Sequence, residues 1–267
     1  MTSPAHNESD FPTATTVEDF VRQTAAVKTR IAAAAARVDR DPDSVRLLPV
    51  SKTVSENRIC IAVAAGLREL GENKVQEATR KYHALADLDV RWSIIGHLQT
   101  NKARDVAAYA SEFQALDSVK VAAALDRRLQ ALGRSLPVFV QVNTSAEPQK
   151  YGVQPEDALA FLRELRAYSS LDVQGFMTLA LFSNDSDEVR PCFARLRTLR
   201  DHIRDEDPDL IGAGELSMGM SGDYELAIEE GSTVVRVGQA IFGARATPDS
   251  FYWPSAADTS ESAGDKS

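Results

Sequence analysis

Lys52 closes a short apolar run, Arg46-Leu-Leu-Pro-Val-Ser-Lys52. An ammonium at the end of a buried strand is partly desolvated, which favours the neutral amine. A neutral primary amine condenses with an aldehyde. The alternative is a lysine fully solvated at a strand end. A second segment, Leu216-Ser-Met-Gly-Met-Ser-Gly-Asp223, precedes a helix whose start is predicted at Ser221 or Gly222. Free N–H groups and hydroxyls at such a start form a phosphate cup, with simple capping by Ser221 as the alternative. Gly238 and Gln239 follow the run Thr233-Val-Val-Arg-Val-Gly238 and add two backbone N–H groups. Arg236, inside that run, needs either an anion or an interior carboxylate such as Glu72. His97 is a candidate acid or base, or a hydrogen-bond partner for a loop carbonyl. Lys150 reads as a solvated loop lysine. Met177, Met218 and Met220 read as packing groups with at most a van der Waals face for a ring. An amine, a phosphate cup and a buried cation suit a phosphorylated aldehyde held covalently. They also suit another phosphate ester, with Lys52 acting as a point charge.

These residues must be positioned by the elements around them. Val17, Phe20, Val21, Val27, Ile31 and Val38 share one face at helical spacing, so the chain opens on an amphipathic helix. Strands are predicted at 46–52, 67–71, 91–97, 112–116, 137–143, 171–177, 215–219 and 233–238. Helices are predicted between them at 55–65, 74–85, 101–110, 119–132, 156–167, 189–204 and 224–230. Eight strands alternating with helices imply parallel pairing and right-handed crossovers. The expected fold is a single (β/α)8 TIM barrel with an extra N-terminal helix, spanning residues 15–253 between tails at 1–14 and 254–267. An open doubly wound sheet would want a glycine-rich turn after the first strand, where this chain has Ser51-Lys-Thr-Val-Ser. In a barrel, groups at the C-terminal strand ends converge, and Lys52, Asn73, His97, Ser217, Ser221, Arg236 and Gly238 all fall at or near such ends. Pro49, which lacks a ladder donor, is expected to force a bulge or an irregular hydrogen bond.

Composition sets the outer limits. The chain has 267 residues, is 43% hydrophobic and carries a formal net charge of −9. An acidic chain without a basic stripe points away from nucleic acid and anionic membranes. Two distant cysteines, Cys60 and Cys192, make no disulfide framework, and no Cys/His cluster has metal-ligand spacing. No signal peptide or membrane span is legible. The expectation is a cytoplasmic monomer.

The motifs in order resemble the pyridoxal phosphate homeostasis protein family, also called the YggS/PROSC family. The matching stretches are Val50-Ser-Lys52, Glu69 to Glu77, Ile95 to Lys102, Gln141 to Ser145 with Lys150, Gly152 and Val153, Gly175-Phe-Met177, Leu216 to Ser221, and Glu230 to Gly238 with Ile241 to Arg245. The resemblance implies pyridoxal 5′-phosphate (PLP) as a Schiff base on Lys52, with Asn73 nearby. It implies phosphate contacts from Ser217, Ser221, Gly238 and Gln239, and Arg236 at the pyridine nitrogen. It also implies the fold of the alanine racemase N-terminal domain, and a carrier that buffers PLP or delivers it to apo PLP-dependent enzymes. The alternative is a single-domain amino-acid racemase. That chemistry needs a second base, which alanine racemase takes from a C-terminal domain of its partner subunit. Here Tyr252 is the sole tyrosine after Arg245, where the recognisable barrel motifs end, in a Phe-Tyr-Trp cluster read as packing. Gln239 departs from the small hydroxyl residue usual in the family, and Pro49 is unusual before Val-Ser-Lys.

Overall fold

The computed structural model describes residues 11–244. Helix α1 (Val17–Ala36) begins at a capping box, with Thr16 accepting from the Asp19 N–H and the Asp19 carboxylate accepting from the Thr16 N–H. It buries Phe20, Val27 and Ile31, the stripe its spacing predicts. The strands are β1 (Arg46–Pro49), β2 (Glu69–Glu72), β3 (Arg91–Ile94), β4 (Glu112–Leu116), β5 (Leu136–Gln141), β6 (Leu171–Met177), β7 (Glu215–Ser217) and β8 (Val234–Val237). The helices that follow them in turn are α2 (Glu56–Ala64), α3 (Val75–Ala84), α4 (Ala103–Tyr109), α5 (Val119–Leu132), α6 (Ala158–Leu165), α7 (Ser186–Glu206), α8 (Tyr224–Glu229) and α9 (Gln239–Phe242). The last was not anticipated from sequence. Its apolar face is only Ile241 and Phe242, too short for a helical period to register.

All strands pair in parallel in the order β1-β8-β7-β6-β5-β4-β3-β2. The remaining seam closes through a Val50–Gly71 bridge and a Ser51 N–H to Gly71 carbonyl bond of 3.0 Å. The expected (β/α)8 barrel with its extra N-terminal helix is what the chain forms. Pro49 acts differently from expectation, because its register with Val237 runs unbroken from Arg46. Arg46 and Val50 donate toward β8, to Thr233 and Val237, whereas Ser51 donates toward β2. Alternation therefore aims the missing Pro49 donor at β2, and the β1–β2 ladder starts only beyond it.

Apolar packing falls into two clusters. The larger lies between β3–β7 and helices α3–α7, and the second joins α1, α2, α8 and α9 to β1, β2 and β8. Arg30 of α1 and Arg37, which caps its C-terminus, pair with Glu225 and Glu229 of α8, and Arg40 donates to the Ile228 and Ser232 carbonyls. The extra helix thus clamps the helix behind the expected phosphate cup. Residues 11–14 were expected to belong to a tail, but Ala14 is fully buried. The Phe11, Pro12 and Ala14 carbonyls accept from Ala244, Gln23 and Arg58. The polar composition there is satisfied by hydrogen bonds to the barrel rather than by water. The expected tails at 1–10 and 254–267, and the expected barrel end at 245–253 with Tyr252, lie outside the described residues.

Candidate functional site

Ladder register decides which strand ends meet. Arg236 lies opposite Leu48, and the Val50 N–H reaches the Val237 carbonyl at 2.9 Å, so Lys52 leaves β1 beside Gly238. On its other flank the Val50–Gly71 bridge sets Lys52 beside Glu72 and Asn73. The Arg236 N–H binds the Gly219 carbonyl at 3.0 Å, and the Gly238 N–H binds Ser221 Oγ at 3.2 Å. Lys52, Asn73, Ser221 and Gly238 therefore gather on one arc of the mouth, spanning β7, β8, β1 and β2. Lys52, Asn73 and Ser221 are partly exposed. Gly96 backs Asn73 so closely that a Cβ there would meet the Asn73 carbonyl oxygen at 2.0 Å.

Beneath Lys52 lies a cluster that the sequence reading missed. Lys81 is fully buried, and its Nζ donates to the Ser51 carbonyl (2.7 Å), Glu72 Oε1 (2.7 Å) and Glu77 Oε1 (2.6 Å). Ser51 Oγ donates to Glu72 Oε1 at 2.6 Å, and the Thr53 N–H donates to Glu77 Oε1 at 2.7 Å. Burial pushes the Glu72 carboxyl up, against the pull of Lys81. Glu72 Oε2 is buried without a hydrogen-bond partner. A Glu and a Lys four apart on a helix read as a surface pair, which is why this one passed unnoticed.

Beneath Arg236 runs a polar chain through the barrel interior. Arg46 Nη2 donates to Glu112 Oε2 (2.6 Å), and Gln114 Nε2 donates to Glu112 Oε1 (2.6 Å). Ser217 Oγ donates to Gln114 Oε1 (2.7 Å) and accepts from Arg236 Nη1 (2.7 Å), while Arg236 Nη2 donates to the Thr178 carbonyl (2.7 Å). Arg236 is 3% exposed, and burial lowers its pKa to about 10, so it stays cationic at neutral pH. Its interior partner is Ser217 rather than Glu72, which Lys81 occupies instead.

Several expected contacts change role. Ser217 and Met218 have no exposed surface. Ser217 Oγ donates to Gln114 and accepts from Arg236, so the hydroxyl orients the guanidinium. Met218 packs in the larger core, and its N–H continues the ladder to the Val234 carbonyl. Helix α8 starts at Tyr224 behind Asp223, not at Ser221 or Gly222, and Asp223 Oδ1 accepts from the Met220 N–H. Desolvation raises the half-buried Asp223 carboxyl to about 6. Gln239 keeps its backbone N–H at the start of α9 but buries its side chain. Lys150 is not solvated: its side chain is 7% exposed, donates to the Ala180 carbonyl at 2.9 Å and pairs with Glu147. His97 pairs with the Asp117 carboxylate at 3.2 Å rather than with a carbonyl, and stacks on Tyr151 at 3.9 Å. Cys60 is exposed and Cys192 buried. Among the described residues no group of His, Cys, Asp and Glu is placed to hold a metal, and no helix is long and apolar enough to cross a membrane.

The sequence model of the alanine racemase N-terminal domain family matches residues 23–246. A pyridoxal phosphate homeostasis protein of Pseudomonas aeruginosa is 41% identical over 221 residues, covering 83% of this chain and 94% of the relative. The solved structure of PipY from Synechococcus elongatus with PLP bound is 36% identical with a TM-score of 0.74, covering 84% of this chain and all of that one. Alanine racemase from Corynebacterium glutamicum shares the fold alone, at 15% identity and a TM-score of 0.65 over 88% of this chain and 64% of that one. On the barrel, its motifs and these relatives, the chain belongs to the alanine racemase N-terminal domain family and, within it, to the pyridoxal phosphate homeostasis proteins.

Proposed function

We propose that the barrel mouth binds PLP, anchored covalently through the Lys52 amine, and that the protein buffers the cofactor or hands it to apo-enzymes. The register across β7, β8, β1 and β2 carries this reading, because it brings a strand-end lysine, a buried arginine and the Ser221–Gly238 contact onto adjacent strand ends. The donor set fits the cofactor's parts. Lys52 offers the amine, and Ser221 Oγ with the Gly238 and Gln239 N–H groups offers donors for a phosphate. Arg236 offers a fixed cation for the ring nitrogen. Bound there, PLP supplies an aldehyde that condenses with primary amines, so its release to another protein is an exchange of amines.

The homeostasis names of the relatives and the PLP in the PipY structure support this reading over the racemase alternative. The residues add a reason. Arginine only donates hydrogen bonds, so Arg236 disfavours a protonated ring nitrogen and weakens the electron sink that racemisation needs. We further place the protein in the cytoplasm as a monomer.

Borohydride reduction of the PLP-loaded protein, followed by peptide mass spectrometry, tests the anchor. A pyridoxyl group is expected on the Lys52 peptide and absent in Lys52→Ala. Colour and affinity unchanged in Lys52→Ala would overturn it. Free pyridoxal, lacking the phosphate, should bind far more weakly than PLP. Racemisation of alanine and serine should be negligible, and robust turnover lost in Lys52→Ala would restore the enzyme reading.

A further inference from the structure

Lys52 sits between two residues whose backbones are both gripped from below. The Ser51 carbonyl accepts from Lys81 Nζ, and the Thr53 N–H donates to Glu77 Oε1. Thr53 adopts φ +66°. A β-branched residue in the left-handed region is an outlier, and such strain costs roughly 1–3 kcal/mol and persists only where the surroundings over-determine it. Here the surroundings are Glu77 and Lys81, joined to each other at 2.6 Å and to Glu72 through Lys81. Both helical residues come from α3, so a single rigid element sets both sides of the turn.

We propose that Glu77 and Lys81 are positioning residues for Lys52: through Thr53 and Ser51 they hold a strained turn that aims the Lys52 amine at the cofactor aldehyde. The inference rests on the reading of Lys52 as the covalent anchor. Attachment requires Lys52 to lose its ammonium proton to solvent and bring its nitrogen lone pair onto the aldehyde carbon. A C=N bond then replaces the C=O bond and one water leaves. A turn released from Glu77 relaxes toward ordinary φ and swings Lys52 off this approach, whereas the phosphate cup, on β7 and β8, is untouched.

The test separates attachment from recognition. In Glu77→Ala, at saturating PLP, attachment to Lys52 followed by visible absorbance should slow about tenfold or more, since misplacement of a reacting group by about 1 Å can cost a hundredfold. Glu77→Gln keeps an Oε1 acceptor for Thr53 and Lys81, so it should recover most of the rate. Affinity for pyridoxine 5′-phosphate, which carries the ring and phosphate without the aldehyde, should stay within about twofold of wild type in both variants, because only approach to the reacting carbon is altered. Glu77 is partly exposed, so these variants should fold, with circular dichroism and Tm as controls. Wild-type attachment rates in Glu77→Ala would overturn the proposal. So would parallel losses of rate and pyridoxine 5′-phosphate affinity, which would mean that the whole mouth is disturbed. A wild-type protein that never attaches PLP to Lys52 would instead sink the underlying reading of the anchor.

Discussion

Two buried polar networks lie under the barrel mouth, and they grip different parts of the chain. The cluster of Glu72, Glu77 and Lys81 holds the backbone on either side of Lys52. The chain from Arg46 through Glu112, Gln114 and Ser217 holds the guanidinium of Arg236 itself. In the proposed role of covalent anchor, Lys52 has to move between free and bound states, and a fixed turn sets the point from which its side chain moves. A group that only presents charge gains from being held outright. The first network concentrates charge, with two carboxylates on one ammonium. The second dilutes charge along neutral amide and hydroxyl links.

This contrast predicts unequal damage. Lys81→Met leaves Glu72 and Glu77 facing each other without a buried counter-charge, and should cost about 3–5 kcal/mol of stability by chemical denaturation. Gln114→Met, similar in size, leaves the Ser217 hydroxyl without its acceptor while Glu112 keeps Arg46 and Ser93. Its cost should be about 1–3 kcal/mol. Equal losses would erase the distinction drawn between the two networks.

Asp223 sharpens the contrast on the arginine side through pH. Its carboxyl rises from 3.8 to about 6 on folding, chiefly through desolvation. Between those values the folded state holds a proton that the unfolded state has released, so stability falls as pH rises through this window and the deficit is complete above it. Asp223→Asn keeps an acceptor for the Met220 N–H. Its Tm should exceed wild type above pH 6 and converge with it below pH 4. An Asn variant less stable at neutral pH would show that the ionised carboxylate is a net stabiliser through Arg236. The smallest effect is expected at Ser221→Ala, which removes the hydroxyl tying the two cup loops. Affinity for PLP should drop by about 0.5–1.5 kcal/mol in a fluorescence titration, with Lys52 attachment at saturation unchanged.

Much of the barrel was legible because each strand is an apolar run bounded by turn residues, and α5 ends at Leu132 before a left-handed Gly133 as its sequence indicates. Lys52, Asn73, Ser221 and Gly238 were legible as strand-end residues inside matching motifs. The polar interior was not. Gln114 and Ser217 are 103 residues apart and meet only once the barrel closes. Along β4 the buried Glu112 and Gln114 alternate with apolar neighbours, a pattern that reads as one face in water. Lys81 and Lys150 illustrate the same limit: a lysine's burial depends on acceptors supplied by other segments, here the Ser51 and Ala180 carbonyls.

The meeting of residues 11–14 with the last helix carries one more consequence. The Ala244 N–H reaches the Phe11 carbonyl at 3.1 Å, and Arg58 donates to both the Ala14 and Phe242 carbonyls. A Cβ on Gly243 would meet the Thr13 Cα at 2.5 Å, so the two ends of the described barrel pass in direct contact. The gap between residues 11 and 244 is therefore short enough for a few linker residues to close. A short linker from residue 244 to residue 11, with new ends opened at the exposed turn around Gly133, should yield a circular permutant that keeps every strand neighbour and the Lys52 turn intact.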